Sequence, residues 1–120
     1  MKILHESQIE PKDVGMAGAK DVTIQVLVSD ADGAPNFAMR RFVITPGGHT
    51  PLHTHSHEHE VFILSGSGVM LFEGKEHKLR AGSFAFINPH AEHQFQNTGD
   101  DELVLLCMIP NLARRVGDFH

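Results

Sequence analysis

The 120-residue chain contains one cysteine, no tryptophan, no tyrosine and no long apolar stretch. Because a disulfide needs two cysteines, the lone Cys107 excludes an intrachain disulfide framework and is typical of a reducing compartment. No apolar run approaches the ~20 residues that span a bilayer. Charges interrupt the first ten residues, which therefore do not resemble a secretory signal. We predict a cytoplasmic protein with no membrane partner.

Positive charge is also scarce. Lysine and arginine total 10 against 15 aspartates and glutamates, which gives a formal net charge of -5. Because a nucleic-acid binder needs clustered cations for the phosphates, we predict no nucleic-acid partner. The length fits one domain over 1–120, and a composition of 41% hydrophobic and 21% charged residues is typical of a globular protein.

Short β-patterned segments separated by glycine- and proline-rich turns fill most of the chain. Helical periodicity is poor: glycine and proline break the segment 8–20, and the tail 111–120 has room for one helical turn. The spacing predicts an all-β sandwich or barrel, and periodicity alone leaves the jelly roll and the up-and-down barrel open. The predicted strands are 22–28, 37–44, 60–64, 69–72, 76–79, 83–87, 93–97 and 103–109.

Histidine is the abundant residue, since the chain has 10 and five of them fall between positions 49 and 59. His53 and His55 stand two apart, so in an extended strand their side chains share one face at a spacing of about 7 Å. Imidazole is a ligand for Zn, Cu, Fe and Ni, and a carboxylate extends the range toward Mn. His93 opens an alternating segment later in the chain and is a further candidate. The pattern predicts a metal site around His53 and His55.

Isolated histidines are usually ordinary solvated side chains, and we expect the histidines that are not candidate metal ligands to lie at the surface. A burst of histidines inside an otherwise apolar strand sequence is different, because apolar residues would pack better there. The expected surface histidines are His5, His49, His57, His77, His90 and His120.

The third metal ligand is a choice between two neighbours, His59 and Glu60. Only one of two consecutive strand residues can face a barrel interior. If His59 faces inward, the side chains at positions 61 and 63 do as well. If Glu60 faces inward, those at positions 62 and 64 do instead. Both alternate faces are apolar, so the pattern leaves the choice open.

Two motifs resemble those of the cupin superfamily. The first motif is one residue short in its last gap. The second has six residues before Pro89 where the family has five, and Ala91-Glu92 where the family has a glycine, but none of these departures removes a ligand. The resemblance implies an all-β, single-domain cupin jelly-roll β-barrel, or double-stranded β-helix. Its core would span about 37–110, after an N-terminal arm of about 1–20. The matching residues are Gly47, His53, His55, Glu60 and Gly66, then Gly82, Pro89, His93 and Asn97.

The chain is similar in particular to small single-domain cupins, of the conserved-barrel type, that hold a metal with four histidines. This closer resemblance favours His59 over the alternative ligand Glu60. It implies one divalent ion per chain, Mn or Fe before Zn, Ni, Cu or Co. It also implies a homodimer, and the apolar strand 22–28 would be an exposed edge in a monomer. The implied metal ligands are His53, His55, His59 and His93.

The same resemblance places Arg40 and Cys107 near the metal as candidate catalytic residues, with Phe95 beside them. By alternation Phe42 shares a face with Arg40, and Ile109 shares one with Cys107. We predict that Phe42, Phe95 and Ile109 line a substrate pocket, where Arg40 can hold a carboxylate through two hydrogen bonds. The alternatives are a surface salt bridge for Arg40 and inert packing for Cys107.

Three functions stay open at this point. The resemblance implies a dioxygenase-like oxidoreductase that uses the metal with dioxygen or peroxide on a small organic substrate. The first alternative is a redox-neutral, metal-dependent isomerase or lyase, which needs an acid or base such as His57, His90 or Glu92. The second alternative is a non-enzymatic cupin that binds a sugar or another small ligand. The fold hosts all three, so the fold alone does not choose between them.

Overall fold

A computed structural model describes residues 1–111 of the chain. This part contains two short 3₁₀ helices, Glu6–Gln8 and Asp30–Asp32, and nine strands. Neither helix is long and apolar enough to cross a membrane. The turn predicted in the tail lies outside the described residues from position 112 onward. The strands are β1 (Lys12–Asp13), β2 (Lys20–Val28), β3 (Phe37–His49), β4 (His59–Ser65), β5 (Ser67–Phe72), β6 (Lys75–Arg80), β7 (Phe84–Ile87), β8 (His93–Gln96) and β9 (Leu103–Pro110).

The strands form one curled sheet with the order β6-β5-β8-β3-β9-β4-β7, and β2 joins β1 to the other edge of β3. Strand β3 connects the two halves of the sheet, since its residues 37–44 pair with β9 while His49 pairs with Gln96 of β8. All pairings are antiparallel, and several neighbours, such as β3 and β9, are far apart in the chain. These crossovers are those of a jelly roll. The prediction of an all-β jelly-roll β-barrel is confirmed.

Alternation along the strands builds the barrel interior. On β3, β4 and β9 the inward residues are buried, and Ile44, Ile63 and Leu103 are at most 1% exposed. The same inward face carries Arg40 and Cys107, which lie opposite each other across the β3–β9 pair. The interior therefore combines an apolar core with polar side chains on the same strands.

Strand β3 is longer than predicted, because residues 45–48, expected to form a turn, stay within it. Gly47 has a φ of 83°, a left-handed conformation that favours glycine. The bent segment stays paired through two backbone hydrogen bonds: Gly47 donates to the Asn97 oxygen at 3.2 Å, and Asn97 donates to the Gly48 oxygen at 3.0 Å. The glycines mark a bend inside the strand rather than its end.

The outer edge of β2 is covered over residues 22–24, so the argument that a monomer would expose the whole strand 22–28 is wrong. Strand β1 pairs with it, with Lys12 opposite Ile24. The side-chain amide of Gln25 donates to the backbone oxygens of Glu6 and Ile9 at 2.8 and 2.7 Å. Because the N-terminal arm occupies this edge, the homodimer prediction has to depend on another surface.

Candidate metal centre

Five histidine rings gather where the β3–β4 loop meets β8. His53 and His93 are joined by two backbone hydrogen bonds of 3.2 and 3.1 Å. The expectation that His53 and His55 share an extended strand is wrong, because residues 50–58 form a loop whose one bridge is at His53. Pro51 lacks the N–H that a continued ladder would use. The loop brings the rings closer than a strand would, since the centroids of His53 and His55 are 4.2 Å apart.

The orientation of β4 separates His59 from Glu60. Burial alternates along β4 from its first residue, so His59 is 5% exposed and Glu60 faces outward. The His59 ring centroid lies 4.6 Å from that of His55 and 5.3 Å from that of His93. The fold therefore brings His59 into the cluster and leaves Glu60 outside it. A ligand role for His53, His55, His59 and His93 stays a prediction.

His57 is not the surface residue that the sequence analysis expects. It is 1% exposed, and its ring is nearly parallel to those of His55 and His59, at centroid distances of 4.9 and 4.8 Å. The strict alternation of histidines from 53 to 59 was the available signal for this placement. His77 and His90 are exposed, as predicted.

Backbone contacts hold two of the rings in the tautomer that metal binding needs. Nδ1 of His53 lies 2.5 Å from the oxygen of Pro51, and Nδ1 of His93 lies 2.9 Å from the oxygen of Ala91. Because a carbonyl oxygen only accepts, each Nδ1 carries the hydrogen and donates it, which leaves the lone pair on Nε2. Metal-ligating histidines usually have this arrangement.

Burial keeps three rings of the cluster uncharged. It lowers the pKa of His53 and of His93, and it lowers the pKa of His59 to about 2. At His59 the neighbouring His55 ring and the Arg40 guanidinium add to the effect, since nearby positive charges oppose another one. These imidazoles are therefore neutral at pH 7, which is the form that coordinates a metal.

The donor set fits a divalent cation. Nε2 of His59 is buried and makes no hydrogen bond within residues 1–111, and a buried polar atom left unpaired is costly. A bound cation would give this nitrogen a partner. Imidazole donors suit several transition metals without selecting one. The imidazoles form two overlapping groups, each with its ligand atoms within 4.8 Å of one another: His53, His55 and His93, and His55, His57 and His59.

A buried arginine and a cysteine extend from this cluster. Nη2 of Arg40 donates to Sγ of Cys107 at 3.3 Å, and the same sulfur lies 3.2 Å from Nδ1 of His59. Burial raises the pKa of the Cys107 thiol, and Arg40 partly opposes this effect. The sulfur therefore contacts both a guanidinium and an imidazole of the cluster.

Arg40 is not the surface salt-bridge residue considered as an alternative, since it is 5% exposed. No carboxylate in the described part of the chain forms an ion pair with it, and its Nε has no hydrogen-bond partner there. Its guanidinium carbon lies 5.2 Å from the centroid of the Phe42 ring, a cation–π distance. Arg40 is thus a buried cation whose charge these residues leave uncompensated.

A cavity of about 40 Å³ lies between Arg40 and the histidines. Because one ordered water needs ~10–15 Å³, this space has room for a small ligand. Phe42 and Phe95 line it, whereas Ile109, the third predicted pocket residue, packs in the core opposite Ala38. Leu105, which shares the face of Cys107 on β9, lines the cavity as well. The sequence analysis missed several lining residues, because alternation from the ligands does not reach the N-terminal arm, β2 or the β3–β4 loop: Val14, Met16, Val22, Thr50 and Pro51.

Residues 40–109 match a family model described as a cupin domain. The chain belongs to the cupin family. The inward histidines of the β3–β4 loop, β4 and β8 fall inside the matched residues.

Known relatives of this cupin have diverse activities. It is 35% identical to 1-methylthio-D-xylulose 5-phosphate methylsulfurylase of Rhodospirillum rubrum over 82% of its own length, and it spans 62% of that protein. It is 30% identical to the oxalate-binding protein of Thermotoga maritima, over 89% of this chain and 92% of the relative. The structure of the polyketide cyclase RemF from Streptomyces resistomycificus is similar with a TM-score of 0.87 at 30% identity, over 92% of this cupin and 79% of RemF.

Proposed function

We propose that this cupin holds one divalent metal ion in its histidine cluster and binds a small anionic organic ligand beside it. The observation that carries the proposal is Arg40, a buried cation that no carboxylate within residues 1–111 neutralises. A buried charge without a partner costs several kcal/mol, so a ligand of opposite charge would stabilise it. A carboxylate matches the guanidinium in particular, because the two planar groups form parallel hydrogen bonds.

The relatives support an anionic ligand. One is named for binding oxalate, and another for a substrate that carries a 5-phosphate. The cavity volume of about 40 Å³ also favours a small group. The position of Arg40, which reaches the His59 ring through Cys107, would hold such an anion next to the histidine cluster.

The ion, Mn or Fe in our proposal, supplies Lewis-acid or redox chemistry when bound. Arg40 holds the anion, and Phe42 and Phe95 keep bulk water from it. The contact of Cys107 with Nδ1 orients the His59 ring and directs Nε2 into the cluster.

For the reaction class we propose a dioxygenase-like oxidoreductase. Dioxygen uptake that depends on the bound metal and on an organic acid would support it. The alternative is a redox-neutral reaction, in which turnover persists without oxygen, and the name of the cyclase relative, which denotes a ring closure, favours it. The oxalate-binding relative favours a third outcome, in which the ligand binds and is released unchanged.

The test measures metal content and then anion binding. The untagged protein, loaded with one equivalent of Mn²⁺, is titrated calorimetrically with oxalate and with oxamide, its neutral analogue. We expect oxalate to bind and Arg40→Met to weaken it by about a hundredfold, the loss of two charged hydrogen bonds. Arg41→Met is the matched control, since Arg41 pairs with Glu6 at 2.9 Å, away from the cavity. Equal affinity for oxalate and oxamide would contradict the proposal.

We also propose a homodimer that covers the outer face of β4, β7 and β9. Paired positions place its apolar residues on one side of the sheet, where Phe62 lies opposite Phe84 and Glu60 opposite both Phe86 and Met108. Contiguous exposed apolar surface on a soluble protein usually marks an interface. The cytoplasmic location stays a prediction.

A further inference from the structure

We infer that His57 completes a second metal position, which overlaps the first and shares His55 with it. The inference rests on the proposed function, because it concerns where the bound ion lies. The first position is formed by His53, His55 and His93, and the second by His55, His57 and His59.

The second group is as compact as the first. Its three ring centroids are 4.6 to 4.9 Å apart, and its three ligand nitrogens lie within 4.8 Å of one another. His57 is 1% exposed and the buried Nε2 of His59 makes no hydrogen bond within the described residues. Nδ1 of His57 lies 3.3 Å from the Glu58 oxygen, which favours Nε2 as its coordinating nitrogen. An apolar side chain would fill this place better if packing were its role.

The two positions exclude each other. A neutral imidazole has one lone pair on the nitrogen that carries no hydrogen. His55 can therefore serve one ion at a time, and the cluster holds one ion per chain although it has five imidazoles. An ion in either position leaves some of the remaining histidines uncoordinated.

The positions differ in their relation to the ligand cavity. His53 and His93 of the first group line the cavity, whereas His59 is the one member of the second group that does so. A ligand in the cavity therefore lies against two histidines of the first group and against one of the second. Since a ligand shifts an equilibrium toward the state it binds better, the anion favours the first position and an empty cavity favours the second.

The test uses Co²⁺ as the probe and asparagine as the substitute for histidine. Asparagine keeps an amide donor near the place of Nδ1, so contacts such as His93 to Ala91 can persist while Nε2 is removed. The double variant His53→Asn/His93→Asn leaves only the second group. We expect it to bind one equivalent of Co²⁺, and the addition of His57→Asn to weaken binding about tenfold or more. Addition of His77→Asn, on the exposed β6, is the matched control and should change nothing.

The outcomes separate the two proposals. If the wild-type protein binds no Co²⁺, the proposed function fails. If the wild type binds but the folded double variant does not, or if His57→Asn leaves the double variant's affinity unchanged, only the inference about His57 is overturned.

A second measurement avoids the multiple substitutions. The visible absorption of the Co²⁺ protein is recorded for the wild type and for the single variant His57→Asn, with and without saturating oxalate. We expect the two spectra to differ without oxalate and to coincide with it. Identical spectra without oxalate would overturn the second position.

Discussion

Acidification should destabilise the metal-free protein, because the buried histidines resist protonation. In the folded state the pKa of His59 is lowered from 6.5 to about 2, mainly by burial. The unfolded chain therefore binds more protons than the folded one throughout this interval. The free energy of unfolding keeps its full value above pH 6.5 and falls as the pH drops toward 2.

The magnitude follows from the same pKa. From pH 6.5 to pH 5 is about 1.5 pH units, and each unit costs ~1.4 kcal/mol for each such group. The titration of His59 alone therefore lowers the free energy of unfolding by about 2 kcal/mol between pH 7 and pH 5. His53 and His93, whose pKa values burial also lowers, add to the loss.

The assay is urea unfolding of the wild type and of His59→Asn at pH 7 and pH 5, with a chelator present. We expect the wild-type midpoint to fall by about 1 M or more, given a slope of ~1–3 kcal/mol per M. The variant should lose about 2 kcal/mol less than the wild type over this pH range, while His77→Asn should behave as the wild type. The same pH dependence in His59→Asn and wild type would refute the reasoning.

Three further predictions concern the fold and the assembly. Asn97→Ala should cost about 3 kcal/mol in urea unfolding, because the buried amide makes three hydrogen bonds of 2.7 to 2.9 Å; a loss below about 1 kcal/mol would contradict this. Gly68→Ala should lower the melting temperature strongly, since its Cβ would collide with the backbone oxygen of Gln96. The control Gly15→Ala, where a Cβ meets open space, should leave the melting temperature unchanged, and equal effects of the two variants would contradict this prediction. Phe84→Lys should convert a dimer of twice the 13.2 kDa chain mass into a monomer in sedimentation, and a wild type that is already monomeric would remove the homodimer proposal.

Local patterns predicted most strands of the barrel, because alternation and turn residues act over a few positions. They failed where contacts with a segment far away in the sequence determine the local structure. Residues 45–48 have the composition of a turn, yet two backbone hydrogen bonds with Asn97, in the chain after β8, keep them within β3. The covered edge of β2 depends in the same way on the N-terminal arm, whose own sequence has no clear periodicity.

The candidate site, too, could be predicted from the sequence only in part. The clustered histidines point to metal chemistry through their number and spacing alone, since few other roles suit so many imidazoles in an apolar context. The choice between His59 and Glu60 needed the fold, because both faces of β4 are apolar in sequence. The burial of His57 needed it as well, since the path of the β3–β4 loop places the ring against its neighbours.

The sequence by itself determined the all-β class, the cupin resemblance and the residue types available for a metal and an anion. These properties follow from composition and short-range spacing, which the chain carries in any conformation. Only the tertiary structure decided which side chains face the interior, which ones meet, and that Arg40 is buried without a carboxylate within residues 1–111. Such properties depend on contacts between residues far apart in the chain, as Arg40 and Cys107 are, and on the desolvation that those contacts produce.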